Sequence, residues 1–151
     1  MDPFDPQTVR AVWERVHSTQ EQQLAAMIAG EKQAQATYSL LAKLFPKHRT
    51  TFSTIAAEEA RHFKQLSTLY YLLYGAEAVA VSEKSPHIEG LQEVLRSCYA
   101  QELRSAQEYY NASTHFPGQT QLFRLLSQEE SRHAQSLLRL TESLLFPQSN
   151  R

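Results

Sequence analysis

The run AAEEARH, residues 56–62, returns 71 positions later as SQEESRH, residues 127–133. One Glu-x-x-His pair on a helix is ordinary, usually part of a solvated face. Two copies inside a shared Glu-Glu-x-Arg-His frame call for a physical cause. Working outward from them, residues 31–73 slide onto residues 102–144 without a gap. Glu31 falls on Glu102, Tyr38 on Tyr109, Phe45-Pro46 on Phe116-Pro117 and Phe52 on Phe123. Leu66, Leu69 and Leu73 fall on Leu137, Leu140 and Leu144, which with the repeated motif makes twelve of 43 positions identical. Background composition gives about three. The sequence is that of a duplicated helical hairpin.

Helix signals fit this division. Asp5-Pro6 is an N-cap with proline at the first helical position, followed by the apolar stripe Val9, Val12, Trp13 and Val16. Ser18 and Glu21 form a capping box, so a short N-terminal helix over residues 1–18 is predicted to precede the domain at 19–146. The first long helix should then run to Phe45 and stop at Pro46. The second should run from about Lys47 to Tyr74, ending at Gly75. Pro86 is expected to open the third, which reaches Phe116, and Pro117-Gly118 turns the chain into a fourth that stops at Pro147. Period-two strand patterns are missing apart from the brief VAV at 79–81, so the fold class is all-α.

The connections constrain topology. Each hairpin closes tightly at its proline and is antiparallel. The stretch between the hairpins is about 12 residues and reaches about 40 Å when extended, the length of a 27-residue helix, also about 40 Å. That predicts a long crossover between helices two and three, as in a ferritin-like four-helix bundle, since an up-down-up-down bundle needs only a few residues there.

Counting from the tips places the chemistry. Glu31 lies 15 residues before Pro46 and Glu59 lies 13 after it, so both carboxylates sit about 20 Å down the hairpin. Glu102 and Glu130 stand at the same places around Pro117, and His62 and His133 follow their glutamates at i+3 on the same face. Four carboxylates converging inside a bundle repel one another and resist desolvation, and two divalent cations cancel four negative charges. Carboxylate oxygen with imidazole nitrogen suits iron, manganese or zinc. A Glu from each of two helices and Glu-x-x-His from each of two others is the di-metal carboxylate pattern. The predicted ligands are therefore Glu31, Glu59, His62, Glu102, Glu130 and His133, with Glu59 and Glu130 bridging. Tyr38 and Tyr109 lie two turns along the ligand face, where a hydroxyl could reach a carboxylate of the opposite half, or simply fill core. Glu58 and Glu129 point about 100° away and are expected to pair with Arg61 and Arg132 on the surface. Met27 and Cys98, one turn before Glu31 and Glu102, are expected in the core. His17, His48, His87 and His115 have no partner under the repeat and are expected at the surface or in turns.

Bulk properties exclude several functions. A net charge of −1 and pI near 6.6 give no basic field for nucleic acid or anionic lipid. No apolar run approaches a membrane span, and no signal-like h-region follows the acidic N-terminus. Cys98 is the only cysteine, which fits a reducing cytoplasm.

On Glu31-x6-Tyr38, EEARH, Glu102-x6-Tyr109 and EESRH, over about residues 19–146, the chain resembles the rubrerythrin-like branch of the ferritin-like superfamily. The resemblance implies a di-iron centre reacting with O2 or hydrogen peroxide, and a homodimer. Without a four-cysteine rubredoxin domain, the chain is expected to draw electrons from an external electron-donor protein. Rubrerythrins carry a further glutamate three residues after the third-helix ligand. Here that place is Ser105, and its mate is Ala34, a pattern similar to a bacterioferritin ferroxidase centre. Two activities follow as expectations: an oxidase or peroxidase that turns over, and an iron-handling protein that oxidises iron during uptake.

Overall fold

The structure, a computed structural model, describes residues 5–79 and 84–147, apart from the His17 side chain. Its regular elements are α1 (Pro6–Leu44), a single 3₁₀ turn (Pro46–His48), α2 (Arg49–Tyr74), α3 (Leu91–His115) and α4 (Thr120–Leu145). No strand occurs among the described residues. Ala80 and Val81 of the VAV run lie outside them. None of the described helices is long and apolar enough to cross a membrane.

The chain divides into two compact units, Met1–Ser85 and Pro86–Arg151. The first is the α1–α2 hairpin. Asp5 starts it as predicted: its carboxylate accepts from the Thr8 backbone N–H at 3.0 Å, and Pro6 takes the first helical position, where an N–H would be idle. Phe45 ends α1, its N–H bonding Leu41 O at 2.9 Å, because Pro46 cannot continue the ladder. At the far end of α2, Gly75 adopts φ 71° and returns its N–H to Tyr71 O, the left-handed stop that glycine adopts without a Cβ clash.

Two predicted boundaries are corrected. Helix α1 passes through Ser18 without a break, so there is no separate helix over residues 1–18. Nothing between Pro6 and Gly30 obliges the backbone to leave the helix, and the Thr19 hydroxyl bonds back to Arg15 O at 3.0 Å. The third helix begins at Leu91 rather than at Pro86. Pro86 biases Ser85 toward extended backbone, and extended Gly90 (φ −158°, ψ 159°) supplies the N-cap.

The connection from Gly75 also leaves a trace within the first unit. Lys84 is clasped by Gln33 of α1: the Gln33 amide donates to Lys84 O at 2.9 Å, and the Lys84 N–H donates to the Gln33 side-chain oxygen at 3.1 Å. Gln33 lies about 20 Å from the Pro46 tip and Tyr74 about 42 Å from it. By Lys84 the chain has therefore returned about half the length of the hairpin, the direction a long crossover requires.

The second unit, α3–α4, repeats the first in register. Gly118 at φ 78° makes the turn after Pro117, and the Thr120 hydroxyl ties α4 back to Ser113 O at 2.8 Å. Tyr38 stacks on Phe52 at 6.4 Å between ring centroids, and Tyr109 on Phe123 at 6.2 Å. Leu24, Leu41, Phe52 and Leu66 are fully buried in one unit, as are Leu95, Phe123 and Leu137 in the other.

Candidate metal centre

Each hairpin buries one triad. In the first, Glu59 and His62 stand one turn apart on α2, and Glu31 faces them from α1. His62 Nδ1 lies 3.2 Å from Glu59 Oε2 and 3.6 Å from Glu31 Oε2. In the second, His133 Nδ1 lies 3.0 Å from Glu130 Oε2 and 3.6 Å from Glu102 Oε2. The equal depths inferred from the proline tips are thus realised within each hairpin. All six side chains are between 0% and 4% exposed. In either triad the potential ligand atoms lie within 4.8 Å of one another.

The local cause is simple. Glu-x-x-His at i+3 aligns carboxylate and imidazole on one face, and a tight antiparallel turn fixes which residue of the neighbouring helix comes level with them. Ionisable groups are rarely buried unless they are paired or hold a metal. No buried side-chain nitrogen or oxygen among the described residues lacks a hydrogen-bond partner. Nδ1 is the imidazole nitrogen that faces the carboxylates, so it is the one positioned to share an ion with them. The donor set is oxygen and nitrogen, which matches the requirements of iron, manganese or zinc.

The flanking residues sort as follows. Tyr38 and Tyr109 are buried and stacked, packing their hairpins two turns from the glutamates. Glu129 pairs with Arg132 at 3.5 Å on the surface. Glu58 is half-buried and Arg61 exposed. Met27 and Cys98 are buried. His87 is exposed and contacts Glu89, and His115 Nδ1 bonds Asn111 O at the end of α3. His48 lies in the 3₁₀ turn.

One part-buried polar pair lies outside the sequence expectations. The Tyr70 hydroxyl donates to Glu21 Oε1 at 2.7 Å, and the Tyr74 ring leans on Tyr70 at 4.8 Å. Donation to this carboxylate holds the Tyr70 pKa above its ordinary value, with burial adding to it. Tyr74 is also raised, by burial first and then by the Glu21 charge. The signal was available: Glu21 and Tyr70 are almost equidistant from the Pro46 tip, as the ligand residues are. It has no counterpart in the second hairpin, where the repeat places Gln92, Thr141 and Leu145.

Two helical hairpins, each burying two glutamates and a histidine at one depth, define the class: an all-α, ferritin-like bundle protein. The chain belongs to the rubrerythrin family, whose sequence profile matches residues 22–141. No curated protein and no solved structure gave a significant match.

Proposed function

We propose that the two triads close on one another to form a single binuclear centre for two iron ions, and that the protein is an oxidoreductase that oxidises this centre with O2 or hydrogen peroxide. The observation that carries this reading is the twofold construction of a buried triad with the same distances in both copies, in a chain of the rubrerythrin family. Glu31, Glu59 and His62 would hold the pair from one side, and Glu102, Glu130 and His133 from the other. Bound iron supplies the electron transfer to the oxidant. Everything else falls to the chain. The four carboxylates match the charge of two divalent ions. The helix backbones hold each imidazole so that Nδ1 faces inward. The Tyr38–Phe52 and Tyr109–Phe123 stacks keep bulk water from one side of each triad, and their hydroxyls are proposed to steady a ligating carboxylate. Re-reduction is assigned to an external electron-donor protein.

Iron uptake without turnover is the second reading, and Ser105 favours it. Three residues after Glu102, it is half-buried and accepts from Gln101 at 3.3 Å, where a rubrerythrin has a further carboxylate.

Iron analysis of the wild type, Glu59→Gln and Glu130→Gln tests the centre. A single binuclear site binds two ions in the wild type, and either substitution removes more than one. Retention of one full equivalent by each variant would mean two separate sites. Oxidation of the loaded protein by O2 or peroxide with excess reductant then separates the activities, because an oxidase turns over repeatedly and an uptake protein stops after one round.

A further inference from the structure

Four side chains of α2 stand at i+4 intervals between the first triad and the end of the helix: His62, Leu66, Tyr70 and Tyr74. Residues four apart are neighbours on a helix surface, so the series forms one continuous ridge. Leu66 is fully buried, Tyr70 is 6% exposed and Tyr74 is half-buried, so the ridge leads outward from the buried imidazole. The second hairpin has His133, Leu137, Thr141 and Leu145 at the same places. It forms the same pair of helices without the two phenols, so building a hairpin does not require them.

Tyr70 differs from an ordinary core tyrosine in what its hydroxyl meets. It donates to Glu21 Oε1 of α1 at 2.7 Å, and the Tyr74 ring lies 4.8 Å from the Tyr70 ring at an angle of 60°. A carboxylate at that distance is a proton acceptor already in place. Removing an electron alone from a phenol leaves a strongly acidic radical cation. A buried phenol is therefore readily oxidised only when a base takes its proton in the same step. The bond to Glu21 and burial hold the Tyr70 pKa above its usual value, so the phenol keeps its proton until then. Eight residues separate Tyr70 from His62, about 12 Å along one helix. An electron crosses such a span by tunnelling through packed protein.

We propose that Tyr70 is a redox-active residue. It gives up one electron along the α2 ridge toward the first triad while its hydroxyl proton passes to Glu21, and it is restored by an electron entering at the Tyr74 end. The proposal rests on the oxidoreductase reading above, which supplies the oxidant. Reduction of O2 to two waters takes four electrons, of which two come from the proposed iron pair. Tyr70 supplies a third and becomes a neutral phenoxyl radical beside a protonated Glu21. The external donor supplies the fourth. One further electron from that donor reduces the radical, which takes its proton back from Glu21. The four protons in the two waters come from solvent, and the proton shared by Tyr70 and Glu21 never leaves the pair.

Trp13, Tyr71 and Tyr110 are 62%, 57% and 57% exposed and react with any dissolved oxidant, so the test starts from the triple variant Trp13→Phe, Tyr71→Phe, Tyr110→Phe. In its metal-free form, a ruthenium(III) polypyridyl complex generated by a laser flash should produce a tyrosyl signal in electron paramagnetic resonance. Adding Tyr70→Phe should remove most of that signal while helical circular dichroism is kept. Glu21→Gln, whose amide oxygen still accepts the hydroxyl, should slow radical formation by about 100-fold or more, the usual contribution of a positioned base. Iron-loaded protein mixed with O2, with excess Fe(II) standing in for the donor, should give the same Tyr70-dependent signal. An undiminished signal in the Tyr70→Phe protein, or an unchanged rate with Glu21→Gln, overturns the proposal. So does a centre that is oxidised by O2 yet leaves no radical dependent on Tyr70. Failure to bind two iron ions would overturn the binuclear reading instead. The photochemical arm contains no iron and would still decide whether Tyr70 and Glu21 act as a redox pair.

Discussion

Replacing Glu59 by glutamine removes one negative charge while keeping nearly the same shape, and its effect on stability should reverse sign with metal. Carboxylate oxygens of Glu59 and Glu31 lie within 4.8 Å of each other, and both residues are at most 4% exposed. Two like charges at that separation repel by about 3 kcal/mol at an effective dielectric near 20. Part of this relief is offset by the weaker bond between glutamine and His62, which leaves a net gain on the order of 1–2 kcal/mol for the metal-free variant. For a chain of this size that is a melting temperature roughly 2–8 °C above the metal-free wild type. Metal changes the order. An ion present at 100 times its dissociation constant stabilises the wild type by about 2.7 kcal/mol, or roughly 5–10 °C for each ion bound. The variant, short of a ligand, should gain little. Differential scanning calorimetry with and without anaerobic Fe(II) measures all four values. A metal-free variant that melts below the wild type, and that Fe(II) stabilises just as strongly, would refute the assignment and reduce Glu59 to a structural hydrogen-bond acceptor for His62.

Three further outcomes are expected. Tyr70→Phe should cost about 1–2 kcal/mol at pH 8 in urea titrations, because it removes a bond to a carboxylate. The Tyr70 pKa is raised in the fold, so its contribution is complete below the ordinary tyrosine value near 10 and lost as pH rises through the raised one; the gap between wild type and variant should close in strong alkali. Gly75→Ala, which forces a Cβ into φ 71°, should lower stability by about 1–2 kcal/mol without altering iron stoichiometry. Ser105→Glu should increase the rate of oxidation by peroxide relative to O2 in stopped-flow measurements, and an unchanged ratio would show that the missing carboxylate is irrelevant to oxidant choice.

The parts of the fold legible in the sequence are those specified by local chemistry. Asp5-Pro6, Phe45-Pro46, Gly75 and Pro117-Gly118 each solve a hydrogen-bonding or backbone problem within a few residues, and each marks a helix end as expected. Ser18 and Pro86 misled because their signals permit a helix to start without requiring one. A serine three turns into a continuous helix has no reason to leave it, and a proline opens a helix only when the residues after it commit. The two triads were legible because i+3 spacing and a tight turn are both arithmetic on residue numbers. The Gln33–Lys84 clasp was not, since it joins a side chain to the backbone of an irregular segment 51 positions away, and no periodicity records such a contact. The exposure of Trp13 could not be read either, because an apolar stripe has the same pattern in sequence whether a neighbour covers it or not.

The Gln33–Lys84 clasp has a bearing on assembly. The connection between α2 and α3 spans residues 75–90, and unpinned it would leave the second hairpin on a long, loose leash. Fixing residue 84 against α1 leaves only residues 85–90, a reach of about 20 Å. By loop-closure scaling, shortening the free segment from 16 residues to six lowers the entropic cost of any contact made across it by roughly 0.9 kcal/mol. A short tether also holds the second hairpin at a local concentration in the millimolar range. The duplication supplied two copies of the same building block, and one glutamine sets how much free chain lies between them.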